Sequence, residues 1–217
     1  MSAMQITLSD RILRRLATIL SVAMLTLCVI DLSTGVLLSF YYEPTAGGAY
    51  RSLKMIDTIV PYGWLFHKTH DLSGNAMIGV GLIQVVVMFL GRQFRKSWLT
   101  AWISGILFTL SAIALDWTAM LLDWTQEGYW RFSIELGTIE AIPFIGGELR
   151  NILTGGGAIS TITVQHLYAL NSYIISPIAL LLAIVHLAAL LWQEREMYAD
   201  ETAENTFQAP DASLVES

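Results

Sequence analysis

The chain has 217 residues, 54% of them hydrophobic and 14% charged, with a mean hydropathy of +0.56. That composition is too apolar for an ordinary soluble domain. The formal charge of −6 is carried largely by loops and an acidic tail, which argues against a nucleic-acid partner. A single cysteine, Cys28, excludes a disulfide framework and a thiolate metal cluster within one chain. The first apolar run is long and lacks a small-residue cleavage site, so it reads as a span rather than a cleavable signal peptide.

In chain order, residues 1–10 form a polar lead, and Arg11, Arg14 and Arg15 flank an apolar run from Leu16 to Tyr41 that is long enough to cross a bilayer. Pro and Gly in YYEPTAGGAY (41–50) end it, and residues 51–63 read as a short surface helix or loop. The second span covers Asp71 to Leu90, and a basic turn with Arg92, Arg95 and Lys96 follows. The third runs from Leu99 to Leu122. Residues 123–163, with Asp123, Glu127, Glu135, Glu140 and Glu148, read as an interfacial connection with one or two short helices. The fourth span runs from His166 to Trp192. The expected domains are a lead (1–10), a membrane domain (11–195) and an acidic, disordered tail (196–217).

The basic residues of the lead and of the 91–98 turn favour both termini on the cytoplasmic side. Arg51, Lys54, Lys68, Arg131 and Arg150 in the opposite loops dilute that bias. Trp64, Trp124, Tyr129 and Trp130 fit an aromatic belt on the far side. No internal repeat is evident, and one all-α, four-helix membrane bundle with short interfacial helices in its loops is the expected architecture.

Polar side chains inside the spans are the candidate functional residues, because the bilayer makes them costly. His70 and Gln84 are 14 positions apart, about 21 Å along nearly the same side of a helix. Asn171 and His186, 15 apart in the fourth span, form a matching pair. Facing each other, the two helices would give two His-plus-amide levels. Interhelical hydrogen bonds, His70 with Asn171 and Gln84 with His186, are the plainest expectation. Asp31 and Asp116 lie at about the depth of His70 and Asn171, where a hydrogen-bonded cluster is the expectation and a proton relay the alternative. His67, His70 and His166 are a weak candidate metal set, since their spacing does not put all three on one face.

Six stretches then resemble the cytochrome b6 family in order and spacing: TGVLLSFYYEPT (34–45), YGWLFHKTH (62–70), WISG (102–105), DWTQEGYW (123–130), EAIPFIGGEL (140–149) and HLYALNSYIISP (166–177). This is the short form of the N-terminal half of cytochrome b, and the resemblance covers residues 10–195. It implies a four-helix bundle holding two haems b, each on one His from the second helix and one from the fourth, within a quinol-oxidising complex. Carried over, the ligand positions fall on His70 with Asn171 and on Gln84 with His186, so each level keeps one His.

Further family positions depart from the pattern. Glycines that admit the porphyrin fall on Ser21, Val22, Thr109, Asp116 and Ala119, and a propionate-pairing Arg falls on Val87. Two more Arg positions are His67 and His166. The cysteine that anchors an additional haem covalently aligns with Ile19, so no covalent haem c is expected. The family's PEWY-type motif does not occur, and Asp123 replaces the usual proline before Trp124. The chain alone is therefore not expected to be catalytic.

The resulting expectation is a haem-free or haem-depleted subunit with a structural role. The alternative is an electron carrier with one altered haem b, or a chlorin, on His70 or His186 alone. Implied partners are an intact cytochrome b, a Rieske protein or a subunit IV-like protein, with lipids, quinone or pigment nearby, in a bacterial inner or thylakoid-type membrane.

Overall fold

A computed structural model describes residues 8–91 and 98–208. The basic turn with Arg92, Arg95 and Lys96 lies outside the described residues, as do 1–7 and 209–217. Among the described residues the regular structure is entirely helical. The helices are α1 (Leu8–Ser39), α2 (Gly48–Thr58), α3 (Gly63–Leu90), α4 (Leu99–Ala119), α5 (Gln126–Glu140), α6 (Gly146–Thr154), α7 (Thr161–Ala169) and α8 (Ser176–Gln208).

Four segments are long and apolar enough to cross a membrane: Ile12–Ser39, Gly63–Leu90, Leu99–Ala119 and Thr161–Glu196. The 28 residues of α3 extend about 42 Å, beyond the roughly 30 Å of hydrocarbon in a bilayer. Its first turns, with His67, therefore reach into the interface. α1 packs along α3, α3 on α4, α4 on α8 and α8 on α1, which closes a four-helix ring. The expected bundle architecture is thus present.

Its residues are distributed as a lipid solvent demands. On α3, Leu72, Leu82, Val86 and Phe89 point outward, while Ser73, Met77, Gly81 and Gln84 are buried. Lipid is as apolar as Leu, so close helix contact favours small and polar residues inside. Three apolar clusters stack along the axis. Met24, Cys28, Met77, Phe108, Ala179 and Ala183 fill the middle; Ala17, Met88, Trp98 and Leu190 fill the end near the termini. Ala49, Leu121, Phe132, Leu136, Val164 and Leu167 seal the other end, beneath the interfacial helices.

The connections between spans carry their own punctuation. Residues 48–58 and the 126–154 stretch form the short helices expected there. Thr125 caps α5 by accepting from the Gly128 N–H at 3.1 Å. Ser160 and Thr163 cap α7 reciprocally. The fourth span is not one continuous α-helix. Leu170–Ile175 form a π-helical turn in which the Ser176 N–H donates to the Asn171 carbonyl. Pro177 explains it: with no N–H, and a ring that crowds the preceding turn, it loosens the helix immediately before it. α8 continues to Gln208, beyond the expected end of ordered structure near residue 195. Residues 194–206 are rich in Glu and Ala, good helix formers that can prolong a helix already nucleated in the bundle.

Gly63 opens α3 where α2 crosses it, and a Cβ there would overlap the Ile56 carbonyl oxygen. Gly63→Ala is expected to cost about 1–3 kcal/mol, the usual range for overpacking. It should lower the thermal midpoint of the detergent-solubilised protein, whereas Gly79→Ala, with nothing near its Cβ, leaves it unchanged.

Candidate functional site

Two polar levels cross the bundle. At the level nearer the termini, Gln84 Nε2 and His186 Nε2 lie 2.9 Å apart, and both side chains are wholly buried. His186 Nδ1 is 2.9 Å from the Ala101 carbonyl oxygen. A carbonyl only accepts, so Nδ1 carries the hydrogen, Nε2 of the neutral ring accepts, and Gln84 turns its NH2 group toward it. The pairing expected from sequence is present here.

Side chains fill the rest of this level. His186 lies over Gly105, where a Cβ would come within 2.8 Å of the ring, and Thr109 Oγ1 sits 2.7 Å from where a Cβ of Gly81 would be. Ser21 and Ser104 are buried beside them. Glycines that could admit a flat macrocycle admit neighbouring side chains instead. The His186 nitrogen that points into the bundle is bonded to Gln84, and Thr109 and Phe108 are buried in the adjoining interior.

The far level is built differently. His70 Nδ1 is 3.0 Å from the Asp31 carbonyl oxygen, 3.2 Å from Asp31 Oδ1 and 3.2 Å from Thr34 Oγ1. Ser73 Oγ donates to the same carboxylate oxygen at 3.1 Å. The His70 ring packs on Gly35, where a Cβ would approach it to 3.1 Å. By the argument used for His186, Nδ1 donates and Nε2 is left as an acceptor. No group among the described residues bonds to it.

Asn171 does not pair with His70, contrary to expectation. Its amide donates to the Leu115 carbonyl and to Thr118 Oγ1, each at 2.9 Å. It sits in the π-helical turn, which faces its amide toward α4, and Asp31 supplies His70 with two acceptors, its backbone carbonyl at 3.0 Å and its side chain at 3.2 Å. The expected cluster of Asp31 with Asp116 is also absent. Leu115 and Thr118 face inward on α4, so Asp116 between them falls on the outward face, three residues from the helix end.

The metal candidates do not converge. His67 Nδ1 bonds Asp57 at 2.9 Å and its Nε2 lies 3.8 Å from Asp71, tying α2 to α3. His166 Nδ1 bonds the Ile152 carbonyl at 2.9 Å, tying α7 to α6. Among the described residues no group of three or more His, Cys, Asp or Glu is placed to hold a metal.

A cavity of about 210 Å³ opens beside His70, lined by Asp31, Gly35, Tyr42, Asn171 and Tyr168 among others. It falls below the roughly 300–1,000 Å³ of typical small-molecule sites. One axial position would suit a haem here, but the space takes a single ring more readily than a macrocycle. Tyr42 donates to the Leu122 carbonyl at 2.7 Å; burial, then Asp123, hold its hydroxyl above the usual phenol range. Asp123 also lines the cavity, and the surrounding protein, then Asp71, raise its carboxyl above the ordinary range. Asp31 as the partner of His70 was missed in sequence; the signal was an acid in a span at matching depth.

The chain matches the family model described as cytochrome b/b6/petB over residues 8–194. It is 30% identical to cytochrome b6 of Cyanidium caldarium over 162 residues, 75% of each chain. It is also 30% identical to cytochrome b6 of Acaryochloris marina over 158 residues, 73% of this chain and 74% of the relative. Among solved structures it resembles a chain of a hyperthermophilic respiratory complex III, with a TM-score of 0.68 and 23% identity over 87% of this chain. It spans about half of that chain (48%), and the likeness concerns the fold. With four apolar spans, the ring of helices and a family match along nearly its whole described length, the chain belongs to the cytochrome b/b6 family of integral membrane proteins.

Proposed function

We propose that this chain is a cytochrome b6-like subunit of a quinol-linked electron-transfer complex, in which side-chain packing replaces the haem level nearer the termini and the role is structural. The observation that carries this reading is the wholly buried Gln84–His186 hydrogen bond at 2.9 Å, which occupies the one imidazole nitrogen a haem would need. Ser21 and Thr109, where the family has glycine, support it. The partners this implies are other membrane subunits: an intact cytochrome b in a hetero-assembly, a Rieske protein or a subunit IV-like protein. The basic residues near both termini support a cytoplasmic side for them.

One observation favours a second reading, an electron carrier with a single altered haem or chlorin at the far level. His70 Nε2 is open to a cavity while Nδ1–H is held by the carbonyl and carboxylate of Asp31, the outer support usual for a ligating imidazole. Bound there, such a group would supply one-electron redox chemistry. His186 is not a candidate for that role.

Two experiments test these readings. Haem extraction and the reduced-minus-oxidised spectrum of the purified full chain are expected to show no stoichiometric b-type haem; a stoichiometric α-band overturns the structural reading. If that band is lost in His70→Ala and kept in His186→Ala, the second reading takes its place. Restoring the ligand alone, by Gln84→His, is expected to recover no haem. Gln84→His with Ser21→Gly and Thr109→Gly together is expected to yield a six-coordinate b-type spectrum.

Gln84→Leu should destabilise the protein by about 1–3 kcal/mol, because it leaves His186 Nε2 buried without a partner. Gln84→Leu combined with His186→Leu should cost less than the sum of the two single changes. Denaturant titration in detergent checks both.

A further inference from the structure

We propose that the level nearer the termini binds one internal water molecule, which joins Ser21 of α1 to Gln84 of α3. The inference rests on the reading that side chains, not a haem, occupy that level.

Ser21 is the exception among the hydroxyls of the interior. Every other buried Ser or Thr among the described residues donates its hydroxyl hydrogen to a backbone carbonyl. Ser21 Oγ is fully buried and has no hydrogen-bond partner among the described residues. Gln84 has the complementary need. Its Nε2 faces His186 Nε2 at 2.9 Å, which leaves Oε1 as a buried acceptor, again with no partner among the described residues. A donor and an acceptor are thus both desolvated, and they do not bond each other.

The packing puts the two atoms in one layer. Along α1, Ser21 lies between Ala17, in the apolar cluster near the termini, and Met24, in the central cluster. Along α3, Gln84 lies between Met77 of the central cluster and Val87 and Met88 of the other. His186 lies likewise between Ala183 and Leu190. Ser21, Gln84 and His186 therefore share the layer between two apolar clusters, and all three have 0% exposure. α1 and α3 are packed along each other there. Thr109 Oγ1, whose hydrogen goes to the Gly105 carbonyl at 2.9 Å, packs on Gly81 one turn from Gln84 and is a further acceptor in the layer.

Two unmade hydrogen bonds in an interior without bulk solvent are costly, and a single water removes both costs. It accepts from Ser21 Oγ and donates to Gln84 Oε1. Its second hydrogen has Thr109 Oγ1 as an acceptor. The same arrangement holds the Gln84 amide with its NH2 group toward His186.

The test uses the full chain in detergent, with glutamine side chains labelled with ¹⁵N, in a preparation whose spectrum is recorded first. Gln84→Leu identifies the Gln84 amide resonance. NOE and ROE contacts of opposite sign between water and that amide are expected, which marks a bound water rather than hydrogen exchange. Ser21→Ala should remove the contact and lower the folding equilibrium constant about two- to tenfold, the equivalent of one net hydrogen bond. Thr26→Ala, on the outer face of the same helix where the hydroxyl bonds the Val22 carbonyl, should keep the contact. No water contact in the wild-type chain, a contact unchanged in Ser21→Ala, or a Ser21→Ala variant more stable than the wild type overturns the proposal. A b-type haem spectrum that is lost in His186→Ala overturns the structural reading of this level; failure of the water contact in a haem-free preparation overturns this inference alone.

Discussion

Each span must hide its polar side chains from lipid, and the hydrogen bond between Gln84 and His186 is the wholly buried contact that joins α3 to α8. Both side chains are at 0% exposure, 102 positions apart in sequence, in an interior with no solvent to replace a missing partner. The Ala101 carbonyl, 2.9 Å from His186 Nδ1, fixes the imidazole tautomer, so that the ring links α4 on one side to Gln84 of α3 on the other. Ser21, Ser104 and Thr109 are tolerable there because the centre of this level is already polar and filled.

The two levels answer the same problem in opposite ways. Near the termini the imidazole is hydrogen-bonded at both nitrogens, and buried side chains surround it. At the far level Asp31, which lies on α1, holds His70 from behind, and Asn171 is drawn away to α4. The result is a braced imidazole facing a cavity. The two amide side chains, Gln84 and Asn171, thus play unequal parts. Glutamine is long enough to reach across to the opposing imidazole, whereas Asn171 is shorter and sits in a turn that points it at a backbone carbonyl.

Much of the fold was legible in the sequence because lipid imposes simple rules. Four apolar runs longer than a bilayer is thick, separated by Pro, Gly and charged stretches, leave few architectures open. The Gln84–His186 pair was legible too, since Gln84 lies 14 positions from His70 and His186 lies 15 from Asn171, which puts the two side chains at one depth on their helices. Asp116 and Asn171 were not. Whether Asp116 faces inward depends on the rotation of α4, and Asn171 on a π-helical turn caused by Pro177; both are settled by packing against neighbours rather than by any local pattern. Sequence depth placed Asp31 and Asp116 together, yet a helix turns 100° per residue, and depth says nothing about direction.

By itself, then, the sequence determined the membrane class, the count and order of spans, the family, and the polar residues, His70, Gln84, Asn171 and His186, that lie inside the second and fourth spans. These follow from hydropathy, length and residue identity, which local chemistry sets. Only the tertiary structure decided that one level is closed and the other open, that Asp31 rather than Asn171 holds His70, and that Asp116 lies outside the bundle. Those outcomes depend on helix rotation and on which buried donor reaches which acceptor. Such a competition is resolved only when all four spans are in place.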